Sequence, residues 1–208
     1  MNGSKTYKFL WWSYGSNATR STFYFFKTLF EDFYNYSENH CDRPSHDMNI
    51  PDNFSSDCII ACNVRNPYTQ IVSHFNDLKE FDNSLVFSEW LIGCDRVDIF
   101  RDPVRWAVAG REPDIFIHME SLEEDLLNLP FVKEWISKNE SSDEIVEVGL
   151  DTHIRKNLYL GENPYDKYIG GFQSINGMYT QELADKVVSL ATGEEYFKQL
   201  GYDIDTWH

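Results

Sequence analysis

Asp57-Cys58-Ile59-Ile60-Ala61-Cys62-Asn63-Val64 is a short, almost continuous apolar run that stops at Arg65-Asn66-Pro67. A run of this length without polar alternation, ended by a charge and a proline, is the pattern of a strand buried on both faces of a parallel sheet. Beyond it Ile71, Val72, Phe75 and Leu78 recur at helical spacing, which predicts a helix from about Tyr68 to Glu80. A buried strand passing into an amphipathic helix is half of a parallel crossover unit.

The same alternation recurs on both sides. Upstream, the aromatic stretch from Tyr7 to Tyr14 reads as strand one and breaks in a Gly-Ser-Asn loop. From Ser21 the period changes: Phe23, Phe26, Lys27 and Phe30 lie at helical spacing, with Ser21 or Thr22 placed to cap the start. Residues 35–57, rich in Asn, Asp, Ser and Pro, read as loop. Downstream, Asp114 to His118 is a short strand after Pro113, followed by an acidic helix start at Leu122-Glu123-Glu124-Asp125. Thr180 caps a helix over Gln181 to Leu190, and Glu194 to Leu200 continues to a stop at Gly201. Residues 82–112 and 140–178 read as variable loops. The expectation is a single α/β domain over 1–208, a central parallel sheet flanked by helices.

The chain has 208 residues, 42% hydrophobic and 16% aromatic, so it holds enough apolar material for a packed core. Its net charge of −16 is unevenly spread: residues 1–70 hold six bases and seven acids, 71–150 seven and eighteen, 151–208 five and nine. Nucleic acid is a poor partner for such a chain, because its recognition draws mostly on cations. A small anion would be repelled least by the first third. No apolar run reaches the roughly 20 residues that cross a bilayer, and the first residues lack the apolar segment of a secretory signal. Four cysteines are too few for a disulfide scaffold and fit a reducing compartment, so the expected location is cytoplasmic, with no membrane association.

Two segments carry chemistry. Gly15-Ser16-Asn17-Ala18-Thr19-Arg20-Ser21-Thr22 combines small residues, successive backbone N–H groups, hydroxyls at a helix start and one cation, the set that cradles a phosphate. It departs from the Walker pattern, with Arg20 and Ser21 standing where Gly-Lys would be. The second segment runs from Val64 to Phe75, where Arg65 ends the strand and Ser73 lies eight positions on, inside the next helix.

Arg65-Asn66-Pro67 followed by Val72-Ser73 and an aromatic closely resembles the 3'-phosphate-binding segment of sulfotransferases that use 3'-phosphoadenosine 5'-phosphosulfate (PAPS). The resemblance implies a P-loop NTPase-like sulfotransferase fold, with Arg65 and Ser73 on the 3'-phosphate and Gly15 to Thr22 as the 5'-phosphosulfate loop. Ala18 stands where the family carries a basic residue in that loop, and Arg20, at the family's usual Gly, is the nearest cation. Glu120-Ser121-Leu122-Glu123-Glu124-Asp125 resembles the family's acidic E-x-L-x-x-D stretch, and the last helices resemble its closing elements. The implied donor is PAPS, the implied product adenosine 3',5'-bisphosphate (PAP), and no metal is required.

Sulfuryl transfer needs a base for the acceptor's proton. Arg43-Pro44-Ser45-His46, with Pro51 beyond, resembles the segment that bears the family's catalytic His, so His46 is the expected base and Arg20 the expected transition-state cation. His153 is the runner-up base, His74 reads as a helix-surface residue and His118 as a satisfied core residue. Gly170-Gly171 and Arg155-Lys156 are further candidates for the 3'-phosphate. Cys58 and Cys62 lie four apart in a strand and read as buried apolar residues, not zinc ligands. The expected activity is sulfuryl transfer to a hydroxyl or amine of a small neutral or cationic acceptor. The rival readings are a sulfotransferase-like nucleotide-binding protein without turnover and a P-loop kinase of small molecules.

Overall fold

The computed structural model describes residues 2–13, 19–35, 57–79, 81–95, 112–159, 175, 177–191 and 193–207. The chain forms two compact units, residues 1–64 with 103–171 and residues 65–102 with 172–208.

The first unit contains a five-stranded sheet. Its strands are β1 (Asn2–Ser4), β2 (Phe9–Ser13), β3 (Tyr34–Asn35), β4 (Ile59–Val64) and β5 (Ile115–His118), in the order β3-β1-β2-β4-β5. β2, β4 and β5 are parallel, with Ser13 opposite Asn63 and Val64 opposite His118. β1 pairs antiparallel with both β2 and β3, so the α/β expectation holds with a mixed sheet in place of a wholly parallel one.

The expected first strand is in fact the second arm of a hairpin. β1 escapes a hydrophobicity reading because Asn2, Gly3 and Ser4 are polar or featureless, yet all three are buried. Gly3 is needed there: a Cβ at this position would lie 2.3 Å from the Phe9 carbonyl oxygen. The hairpin turns through Lys8, which adopts a left-handed φ of 49°. Asp32 secures the turn, accepting hydrogen bonds from the Ser4 hydroxyl and, at 2.9 Å, the Thr6 backbone N–H.

Phe9 and Trp11, two apart on β2, face the same side of the sheet, where α1 (Thr19–Leu29) and α5 (Pro130–Lys138) supply the covering rings. Phe9 stacks on Phe131 with centroids 3.8 Å apart and planes at 4°, and Phe26, Phe30 and Phe33 close around the pair. Much of the chain's aromatic excess sits in this one core, which also takes in Phe23, Phe25 and Trp135. Rings of this size bury the most apolar area per residue, and offset and edge contacts add to that burial.

α4 (Leu122–Asn128) follows β5 through one 3₁₀ turn, with three carboxylates at its positive end. α6 (Ser142–Gly149) runs on into a π-helical stretch, Leu150–Tyr159, which packs against α1. Much of the segment expected to be a variable loop from residue 140 is therefore regular helix. Its apolar residues Ile145, Val146, Leu150 and Ile154 repeat at helical spacing and pack into the aromatic core.

The second unit contains α2 (Pro67–Lys79), α3 (Phe87–Gly93), α7 (Gln181–Leu190) and α8 (Glu194–Gln199). Ile71, Val72 and Phe75 of α2 are buried as their spacing predicts, while Leu78 is half-buried. α7 packs against α2 and α3. Thr180 caps α7, its hydroxyl accepting from the Leu183 N–H at 3.4 Å, and Gly201, with φ of 79°, ends the chain's helical run after α8.

Candidate functional site

In the first unit the parallel register brings the carboxyl ends of β2, β4 and β5 to one sheet edge, the edge that binds ligands in open α/β sheets. β2 ends at Ser13 and α1 begins at Thr19, so the helix starts three to four residues earlier than Ser21 or Thr22 capping would require. Gly15, Ser16, Asn17 and Ala18 of the expected phosphate loop lie outside the described residues, as do His46, Gly170 and Gly171. Thr19 is half-buried, with its hydroxyl 2.8 Å from that of Ser13, and Arg20 is exposed.

Ser21 and Thr22 lie inside the first turn of α1 and are buried. The Thr22 hydroxyl faces the core, where it accepts from Asn63 Nδ2 at 2.8 Å, and Asn63 Oδ1 accepts from Trp11 Nε1 at 2.7 Å. Asn63 therefore ties β2, β4 and α1 together at the carboxyl edge through one fully buried amide. It is a polar residue in an apolar strand, and that anomaly was the legible signal of its role.

At the end of β5, Asp125 of α4 reaches back to His118, accepting from its backbone N–H at 2.6 Å and lying 2.9 Å from its Nδ1. The second oxygen of Asp125 accepts from the Ser121 hydroxyl at 3.1 Å. His118 is thus a half-buried, carboxylate-oriented side chain where a core position was expected. The Asp125 of the acidic E-x-L-x-x-D stretch acts as the latch between strand and helix.

His153, the runner-up base, stacks on Tyr24 of α1 with centroids 5.6 Å apart, and burial lowers its pKa below the usual histidine range. Arg155 is committed elsewhere than a ligand phosphate. It makes a two-point contact with Glu123 and single contacts with Glu147 at 2.7 Å and Asp151 at 3.0 Å, joining α4, α6 and its own helix. Lys27 is exposed on α1.

In the second unit, Arg65 is 4% exposed and its Nε donates to Thr69 Oγ1 at 2.9 Å. Asn66 is the N-cap of α2: its side-chain oxygen accepts from the Tyr68 N–H at 2.9 Å, and Pro67 takes the first helical position. The helix accordingly begins one residue before the hydrophobic spacing alone predicts. Ser73 is half-buried, two turns along α2. His74 lies beside the Trp90 ring, 6.0 Å between centroids, and is half-buried.

Cys58 and Cys62 are buried, and burial raises the Cys62 thiol pKa well above its ordinary value. Among the described residues no group of three or more His, Cys, Asp or Glu side chains is arranged to hold a metal ion, and no helix is long and apolar enough to cross a membrane.

No family model, curated protein or solved structure matches the chain.

Proposed function

We propose that the chain is a sulfotransferase that takes its sulfuryl group from PAPS and delivers it to a hydroxyl or amine of a small neutral or cationic acceptor. The observation that carries the reading is Arg65, a buried guanidinium next to the N-cap of α2, directly after a parallel β-strand and eight residues before Ser73. A guanidinium fork at the carboxyl end of a parallel strand has the charge and the donor geometry that a terminal phosphate dianion calls for. In the first unit, α1 follows β2 and opens with Thr19 and Arg20 in its first turn, the end of a helix whose backbone N–H groups suit an oxyanion.

In this reading Arg65 and Ser73 take the 3'-phosphate, and residues 15–22 take the 5'-phosphosulfate through backbone N–H groups, with Arg20 as cation. The Ser21 and Thr22 backbones, not the buried Thr22 hydroxyl, serve that end of the nucleotide. The acceptor oxygen or nitrogen forms its bond to sulfur as the bond from sulfur to the bridging 5'-phosphate oxygen breaks. The acceptor's proton passes to His46, and the electron pair leaves with PAP. Negative charge accumulates on the sulfuryl oxygens and the leaving phosphate, where Arg20 and the α1 N-terminus stabilise it.

The test is binding of PAP. At a concentration 100 times its dissociation constant a ligand adds about 2.7 kcal/mol to stability, which for a chain of this size raises the melting temperature by roughly 5–10 °C. Arg65→Ala is expected to abolish the rise, and an intact chain that shows no shift would overturn the reading. A specific observation favours a second reading, nucleotide binding without turnover: Ala18 replaces the family's loop cation, and the Thr22 hydroxyl is engaged by Asn63. PAP binding with no release of radiolabelled sulfate from PAPS to any acceptor or to water would select it.

A further inference from the structure

The run from Val146 to Arg155 carries two stripes that repeat every four residues. Val146, Leu150 and Ile154 are buried in the core of the first unit, and Glu147, Asp151 and Arg155 each follow one of them by a single position. An α-helix has 3.6 residues per turn, so a stripe of period four drifts by about 40° at each step and by about 80° between residues 147 and 155. A helix wound more loosely cancels that drift. From Leu150 to Tyr159 the chain is wound in this way, as a π-helix. Such winding occurs mostly as single turns inside α-helices, so ten residues of it call for support from outside the backbone.

Arg155 supplies that support. Its Nη1 donates to Glu147 at 2.7 Å and to Asp151 at 3.0 Å, which gathers the whole charged stripe onto one side chain. Its Nε and Nη2 donate to the two carboxylate oxygens of Glu123 on α4, at 3.1 and 2.5 Å, so the guanidinium fork also ties the stripe to a neighbouring helix. These bonds use most of the guanidinium's N–H groups. Isolated surface ion pairs contribute little, whereas a two-point pair inside a network is the case in which geometry makes the charges count. The α register would carry residue 155 further along the axis from residue 147 and turn it aside, so that one nitrogen no longer reaches Glu147 and Asp151 together. The same winding sets which residue faces α1: His153 stacks on Tyr24, with the planes at 27°, and its neighbour Ile154 is fully buried.

We infer that the Arg155 cluster is a register lock: by binding Glu123, Glu147 and Asp151 at once it holds residues 150–159 in the π form, and its release lets the stretch rewind toward the α form and turns His153 off the Tyr24 ring. Nothing in this device requires a nucleotide.

The experiment follows the NMR signals of the His153 ring, which the Tyr24 ring current displaces, together with amide hydrogen exchange along the chain, at about pH 8, where histidine is neutral. His153→Gln assigns the signals and Tyr24→Leu gives their undisplaced position. Arg155→Met keeps an apolar stem and removes the fork. It is expected to move the His153 signals at least halfway to the undisplaced position and to speed exchange over residues 150–156 about tenfold relative to the amides of β2 and β4, the size of one hydrogen bond to a charged group. Arg155→Lys, which keeps the charge and lacks the fork, is expected to restore neither readout. Should Arg155→Met not fold, Glu123→Gln keeps the shape, removes the two-point ion pair and carries the same expectation. Unchanged His153 signals in Arg155→Met, exchange that quickens equally throughout the chain, or full restoration by Arg155→Lys each overturns the inference.

Discussion

At the scale of single residues, the chain places polar groups inside apolar elements and satisfies them across long sequence separations. Asn63 is the strongest case, since one amide serves Trp11, 52 positions away, and Thr22, 41 positions away. Asn63→Leu fills a similar volume but leaves the Trp11 N–H buried without that acceptor. Loss of one such partner costs about 1–3 kcal/mol and two broken bonds push the sum upward, so a destabilisation of about 2–4 kcal/mol is expected in urea unfolding. A change below about 1 kcal/mol would mean the network relaxes onto other partners. Arg155 lies on a partly exposed surface, where three carboxylates surround it and raise its pKa further above the usual arginine range.

At the scale of elements, the first hairpin shows where pattern ends and geometry begins. β2 was legible, because Phe9, Leu10, Trp11 and Trp12 form a run that only a doubly covered strand accommodates. β1 was not, because its fitness for the sheet depends on what Gly3 lacks. Gly3→Ala brings a Cβ against the Phe9 carbonyl backbone, which cannot move without displacing β2. The expected loss is about 1–3 kcal/mol or more, the usual result of forcing an extra carbon into a packed site. Gly93→Ala is the control: nothing lies within 4 Å of its would-be Cβ at the end of α3, and the substitution is expected to be neutral or to stabilise by up to about 1 kcal/mol. Chemical denaturation of the two variants side by side distinguishes the mechanisms.

The parallel strands and α2 followed from apolar runs, and α7 from its cap and period, because each announces itself within a dozen residues. The Asn66–Thr206 hydrogen bond, the Asp125 latch on His118 and the Arg155 cluster did not, because each depends on side chains that only the fold brings together. Of the candidate site, the place of Arg65, between the end of β4 and the start of α2, was readable from its segment. Its hydrogen bond to Thr69 was not, and neither was the burial of the Thr22 hydroxyl.

At the scale of the whole molecule, two of the described groups, His153 and Asp32, have opposite charge types and move stability with pH in the same direction. Burial holds the His153 pKa below the usual histidine range, so the folded chain resists protonating it. Below about pH 6.5 the unfolded chain takes up the proton first, and stability is lost as the pH falls. For Asp32, burial pushes the pKa up, but hydrogen bonds from Ser4 and Thr6 outweigh it and hold the carboxyl below 3.8. Its contribution is present above that value and disappears as the pH falls through the folded-state pKa. The expected melting curve is therefore flat near neutrality and declines in two stages toward acid. His153→Gln is expected to flatten the upper stage, between about pH 7 and 5, and to leave the lower one; an unchanged slope would place the proton uptake elsewhere.

The sheet order also bears on how the chain reaches this state. Ser4 meets Phe9 across a hairpin that closes locally, whereas Phe9 meets Ile59 and Ala61 meets Ile115, each pairing joining residues 50 or more positions apart. Closing loops of that length loses chain entropy before any buried contact offsets it, so the hairpin forms on the microsecond scale and the parallel pairings come later. β2 must therefore wait with one edge paired to β1 and the other open, four large apolar side chains in a row. During synthesis, that open edge needs protection from other copies of the chain.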